Sequence, residues 1–220
     1  MSGNLRRSGH GQSARSRFRL SNWRPLALVA VLLGAIFWWH SHRPIPHGPG
    51  VLAPDIPLQE NLDGKPEPLS KKDVAIEPLA KFSITARVLS RADYSWDPEA
   101  AIAPVDLALG WGRMSDSAVL EKMDISQSGR FYFWTVHQFP IPEREIIESS
   151  ANMHLVPADR IVERDIKETR AGDVVSFSGY LIKARWPDGR TWVSSLTRSD
   201  SGAGACELVW VEHFDISPRH

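Results

Sequence analysis

Alternation with a period of two dominates the folded part of the chain. In "KFSITARVLS" the apolar residues Phe82, Ile84, Ala86 and Val88 fall on one side, which predicts a half-buried strand. "VDLALGWG", residues 105–112, predicts a second strand that ends in a Gly-Trp-Gly turn. Asp116 is placed to cap a short helix over "SAVLEKM", and the aromatic and β-branched run "GRFYFWTV", 129–136, predicts a third strand. Residues 140–157 show no steady period: "REIIESSA" reads as a helical turn and "NMHLVPA" as irregular chain. The charged stretch 159–169, "DRIVERDIKET", carries Ile161, Val162 and Ile166 as its apolar side and predicts a surface helix.

Period two then returns. "GDVVSFSGYLIKA" and "RTWVSSLT" flank "WPDGR", whose Pro-Asp-Gly favours a turn, so residues 173–197 are expected to form a β-hairpin. "CELVWVEHF" supplies a last strand after a Gly-Ala-Gly loop. Five or six strands with one or two inserted helices predict an α+β fold around a curved, mainly antiparallel sheet, with a small open barrel as one form of it. No internal repeat and no β-α-β-α rhythm is present, which argues against Rossmann and P-loop architectures.

The N-terminal quarter follows another pattern. Residues 26–39, "LALVAVLLGAIFWW", form the one long uncharged apolar run, and 25–41 is expected to be a transmembrane helix set in a lipid bilayer. Trp23, Trp38 and Trp39 suit the two interfaces. A cleaved secretory signal is the rival, but no small-residue cleavage pattern follows the run, so an uncleaved anchor is preferred. Arginines 6, 7, 15, 17, 19 and 24 precede it and only Arg43 follows closely. That asymmetry predicts a basic cytoplasmic tail over 1–24 and a body outside the cytoplasm, in a two-membrane bacterium the periplasm. Residues 42–78 hold eight of the sixteen prolines and are expected to be an extended linker or a strap. His40, His42 and His47 read as interfacial or solvated. The folded domain is expected over 79–214, followed by a short tail, 215–220.

Charge narrows the function classes. The N-terminal seven arginines offset a net charge of −7 on the rest of a formally neutral chain, so the body is acidic and nucleic-acid binding is excluded. No H-x-x-x-H or C-x-x-C spacing suggests a metal, and no cofactor motif occurs. Cys206 is the only cysteine. As a nucleophile it would need a base and an orienting group, for which His154 and Asn152 are the candidates. As a small apolar residue it would share the core face with Leu208 and Trp210, and that structural reading is preferred. Arg113 and Asp116, after the Gly-Trp-Gly turn, and Arg198 and Asp200, before the glycine loop, are candidate binding residues for an anionic ligand; an ion-pair network closing loop ends is the competing reading.

The stretches "GWGRMSD", "ANMHLVPA" and "SSLTRSDSGAGACELVWV" resemble uncharacterised bacterial proteins with one N-terminal anchor and an envelope-facing domain. The resemblance implies an envelope location and carries over no catalytic residue. The expected function is therefore a single-pass membrane protein with an extracytoplasmic module that binds a ligand or an envelope protein. A cysteine-dependent acyl-transfer enzyme is the alternative.

Overall fold

The computed structural model describes residues 23–64, 66–197 and 206–219. Two units are distinguished, 1–41 and 42–220. In the first, helix α1, Trp23–His42, carries Leu26, Leu28, Val29, Val31, Leu32 and Leu33, each more than half exposed. Among the described residues no helix is long and apolar enough to cross a membrane. The arginine-rich leader up to residue 22 lies outside the described residues.

The second unit is mixed α+β, with a curved and mainly antiparallel sheet. Its strands are β1 Leu58–Glu60, β2 Leu69–Lys71, β3 Val74–Asp93, β4 Val105–Gly110, β5 Met123–Ser128, β6 Phe131–Val136, β7 Ser150–Pro157, β8 Val174–Arg185, β9 Thr191–Val193 and β10 Glu207–Ile216. Helices α2 Ser117–Leu120, α3 Glu143–Glu148 and α4 Arg160–Lys167 are short.

The 20-residue β3 organises the sheet, because its last third pairs with β4 and its earlier part with β8. β4 continues to β7, β7 to β10 in parallel, and β10 back to β8, so the pairing circuit closes. Numbered in chain order, those five strands run 1-2-3-5-4-1, with strands 3 and 5 parallel and α4 between strands 3 and 4. This is the strand plan of the OB fold, a small Greek-key barrel. β1 and β2 pair with β3 outside the ring, β9 extends β8, and β5–β6 form a separate hairpin.

Closure depends on local irregularities. β3 shifts register between Pro78 and Ala80 and again between Val88 and Ser90, and β10 shifts between Val211 and His213. Such bulges bend a strand and raise its twist. The first also accommodates a proline inside a paired strand, where its missing N–H would otherwise break the ladder. The barrel interior is filled by the alternate residues Phe82, Ile84, Ala86, Val88, Val105, Leu107, Leu109, Met153, Leu155, Val209 and Val211. Val162 and Ile166 of α4, four residues apart on one helix face, pack against that core. Asp159 caps α4 by accepting from Ile161 N and Val162 N. Ile161 is 63% exposed, because its position, 100° from Val162, turns it to solvent.

A second core lies outside the ring, where Val156, Ile182, Ala184, Trp186, Leu208 and Trp210 pack together with Val74 and Ile76. The face of β10 that bears Leu208 and Trp210 is thus buried against this outer layer, while Val209 and Val211 fill the barrel.

Several elements depart from the expected pattern. "NMHLVPA" is not irregular: it belongs to β7, buried almost throughout, and strands buried on both faces lose visible alternation. β5 was hidden by its polar face. β1, β2 and the start of β3 fall within 42–78. Residues 45–53 form a strap: Ile45 N donates to Ala171 O, Leu52 N and Ala53 N donate to Ser115 Oγ, and Gly112 N donates to Ala53 O. His47 is not simply solvated, since its Nε2 lies 2.8 Å from the Gly172 carbonyl.

Two glycines hold backbone conformations that their positions require. Gly172 has φ +93°, and a Cβ there would lie 2.2 Å from the Ile45 carbonyl oxygen; Gly189, in the β8–β9 turn, has φ +89° and open space around it. Gly189→Val is therefore expected to cost about 1–2 kcal/mol from backbone strain alone. Gly172→Ala adds a collision with the strap and is expected to cost more, roughly 2–3 kcal/mol. Urea unfolding of the two variants measures both, and an equal loss would remove the strap from the packed structure.

Candidate functional site

The site is built on one rung of the barrel wall. β4 and β7 pair with Asp106 opposite His154 and Ala108 opposite Asn152. Because side chains alternate across a strand, placing Leu107, Met153 and Leu155 in the barrel turns Asp106, Asn152 and His154 to its outer face. That face is covered: Asp106 is fully buried, His154 is 3% exposed and Asn152 is 4% exposed.

The cover is the tip of the β5–β6 hairpin. Gly129 and Arg130 both have positive φ, +57° and +67°, the conformation of a tight two-residue hairpin turn. The turn delivers the Arg130 guanidinium to the rung. Nη1 donates to Asp106 Oδ1 at 3.0 Å, and Nη2 donates to Asp97 Oδ1 at 2.7 Å and to the Ala103 carbonyl at 3.1 Å. The guanidinium also lies 4.1 Å from the ring centre of Tyr94 and 5.4 Å from that of Trp192. Arg130 N donates to Tyr94 Oη, and the Arg130 carbonyl accepts from Asn152 Nδ2 at 3.0 Å. Gln127 Nε2 in turn donates to Asn152 Oδ1 at 2.7 Å. Two carboxylates and a carbonyl on one guanidinium offset the cost of removing its charge from water.

His154 closes the cluster. Its Nδ1 lies 2.9 Å from Asp106 Oδ2, within ion-pair range, although neither atom completes a hydrogen bond of good angle. Its ring centre is 4.6 Å from that of Trp192. The other ring nitrogen, Nε2, makes no protein hydrogen bond among the described residues.

His154 lines a pocket of about 390 Å³, together with Arg130, Phe131 and Cys206, with Glu99, Trp186 and Arg190, and with Thr191, Trp192 and Val193 of β9. Cys206 is half-buried at the head of β10. Its backbone is held from the β9 side, where Ser195 N donates to Cys206 O and Leu208 N donates to Ser194 Oγ. Its sulfur lies 4.0 Å from the Arg130 carbonyl. Burial above all, helped by the charge of Glu207, pushes the thiol up from 9.0 to about 11, against the opposing effect of a hydrogen bond with Asn152. Among the described residues no group of three or more His, Cys, Asp and Glu is placed to hold a metal ion.

No protein-family model, curated protein or solved structure matches this chain. The chemistry must therefore be read from the residues themselves.

Cys206, His154 and Asn152 are brought to one region, but not as a linear triad. Asp106, not Asn152, stands beside the imidazole; Asn152 instead secures the hairpin tip. Arg113 and Asp116 lie elsewhere: Arg113 pairs with Glu145, and Asp116 caps α2 while accepting from Gly50 N. Neither lines the pocket. Arg198 and Asp200 lie outside the described residues. Sequence reasoning missed Asp106, Arg130 and Trp192. A single charge inside the otherwise apolar "VDLALG" was the legible signal for Asp106, since a buried carboxylate needs a partner.

Two measurements check this geometry. Asp106→Asn is expected to destabilise the protein by about 3 kcal/mol, because it leaves Arg130 partly unpaired in the interior. Combining it with Arg130→Met should cost less than the sum of the single changes in a double-mutant cycle, and strict additivity would deny the coupling. Maleimide labelling of Cys206 in the native protein should rise about tenfold per pH unit from 7 to 10 without a plateau, because the thiol titrates near 11. The same shift stabilises the fold below pH 9 and that contribution fades between 9 and 11, since the unfolded thiol loses its proton first.

Proposed function

We propose that this chain is a membrane-anchored protein whose barrel domain lies outside the cytoplasm and binds a small ligand in the pocket beside His154. The observation that carries the binding reading is an imidazole nitrogen without a protein partner in an aromatic-walled cavity of about 390 Å³. That volume lies in the range of small-molecule pockets. The cavity also sits on the outer face of the second and third barrel strands, between the loops that follow the first and fourth, where this architecture commonly presents ligand surfaces.

The anchor rests on the chain's N-terminal residues. Helix α1 by itself falls short of the length and apolarity of a full span; the reading is drawn from the sequence, where the apolar run 26–39, the flanking tryptophans and six arginines before the run against one close behind it favour a single span over 25–41 with the N-terminus inside. The enzyme alternative is weaker. A cysteine nucleophile works as a thiolate, and burial favours the protonated form of Cys206, whose sulfur lies 4.0 Å from the Arg130 carbonyl.

A reporter that is active only outside the cytoplasm, fused after His220, should be active and should fractionate with membranes. Activity confined to a soluble product beginning near residue 42 would show a cleaved signal, and an inactive reporter would place the barrel in the cytoplasm.

A further inference from the structure

The β5–β6 hairpin covers the barrel with one face and leaves the other open. On the covered face Gln127 and Tyr132 reach Asn152 and Ser150, and Met123 and Trp134 pack against the cluster around Met114 and Ile146. On the open face Phe131 is 40% exposed and Phe133 50% exposed, with their ring centres 6.4 Å apart.

Strand β6, Phe-Tyr-Phe-Trp-Thr-Val, contains no charge and no proline. It pairs with β5 alone, so its other edge is unpaired. The two-residue turn makes Ser128 and Phe131 a hydrogen-bonded pair, and such pairs alternate along an antiparallel ladder. Phe131, Phe133 and Thr135 therefore bond to β5, while Tyr132, Trp134 and Val136 aim their N–H and C=O groups at the open edge. Among the described residues none of those outward groups has a hydrogen-bond partner. Proteins usually block such an edge with a charge, a proline or a bulge. β5 is guarded in this way, since it carries Asp124 on its exposed face and lies beside β3. β6 has none of these devices.

We propose that β6 is a dimer interface, pairing antiparallel with β6 of a second copy about a two-fold axis through Phe133. That register joins the outward groups of Tyr132 to those of Trp134 in the second copy, and the reverse. It sets Phe133 against its own counterpart and Phe131 against Thr135 of the second copy, so the exposed phenylalanines of both copies meet at one centre. A second copy is the occupant because the face complements itself. Ser126 and Ser128 of β5 form a polar rim around the apolar centre. Asp124 and its counterpart fall at opposite corners of the four-stranded sheet, so two acidic bodies approach where neither presents a charge to the other. The pairing also closes, because the enlarged sheet ends in the two guarded β5 strands. The dimer is independent of what the pocket binds.

The test uses the full-length protein in detergent, with Cys206→Ala as background so that no native thiol reacts. Phe133→Cys, at an exposed position, should give a disulfide-linked dimer under mild oxidation. Residues that face each other in a non-hydrogen-bonded pair have Cα atoms about 4.5 Å apart, within disulfide range. Ser126→Cys, on the same face but one strand from the axis, should link little, because three strand spacings hold its two copies about 14 Å apart. Without oxidation the unsubstituted chain should sediment as a dimer whose fraction rises over concentrations on the order of micromolar. Phe133→Arg should lower the association constant at least ~tenfold by setting two guanidinium groups face to face. Arg164→Ala, on α4, should leave it unchanged. Circular dichroism verifies that each variant is folded. Equal linking at 126 and 133, no linking at 133 in a folded variant, or a monomer at every concentration overturns the dimer. Linking of residue 133 in intact membranes to a different polypeptide, with no homodimer, assigns the edge to another protein and overturns it as well.

Discussion

The constraint on which this structure depends is that one strand, β3, serves two neighbours in succession. Over residues 87–93 it pairs with β4, and over 75–87 with β8, so it must curl through the angle that separates those partners. A flat strand could not do so. Its two register shifts, at Pro78–Ala80 and Val88–Ser90, supply the bends, and closing the ring removes the free edges that an open five-stranded sheet would carry. The reward is a core contributed by the inward residues of every barrel strand, closed by two side chains of α4.

Once the ring is closed, every residue that points away from its core must meet something else. At most barrels that is water. Here the outer surface of β4 and β7 lies under an inserted hairpin, and a charged rung is thereby buried. Asp106 alone would be untenable in that position. It is accommodated because the hairpin turn, with two residues in left-handed conformation, brings a guanidinium within reach and a second acid, Asp97, completes its coordination. Polar groups in such a network specify one arrangement of hairpin and barrel, since sliding the hairpin by one residue would strand a charge.

The pocket is a consequence of the same cover being incomplete. The hairpin tip reaches Asp106 and Asn152 but leaves the far side of His154 open to the cavity between Trp192 and Phe131. The thiol of Cys206 borders that cavity without the setting of an activated nucleophile: burial and neighbouring carboxylates favour its protonated form.

Much of this architecture is legible in the chain. Alternation announced the paired part of β3, β4, β6, β8 and β10, Asp116 and Asp159 announced the helices they cap, and Pro-Asp-Gly announced the β8–β9 turn, because each depends on residues close together in sequence. β7 escaped notice because both of its faces are buried, and β1 and β2 because proline-rich surroundings imply a linker unless a neighbouring strand is known to receive them. Of the site, His154, Asn152 and Cys206 could be singled out by residue type, whereas their partners could not. Asp106 is 24 residues from Arg130 and 48 from His154, and only the β4–β7 register and the hairpin turn bring the three together. Local patterns thus determined which segments are strands and helices. Which of their polar residues share a rung, and which of them faces the cavity, was decided by strand register and by what covers the barrel wall, quantities that depend on residues distant in the chain.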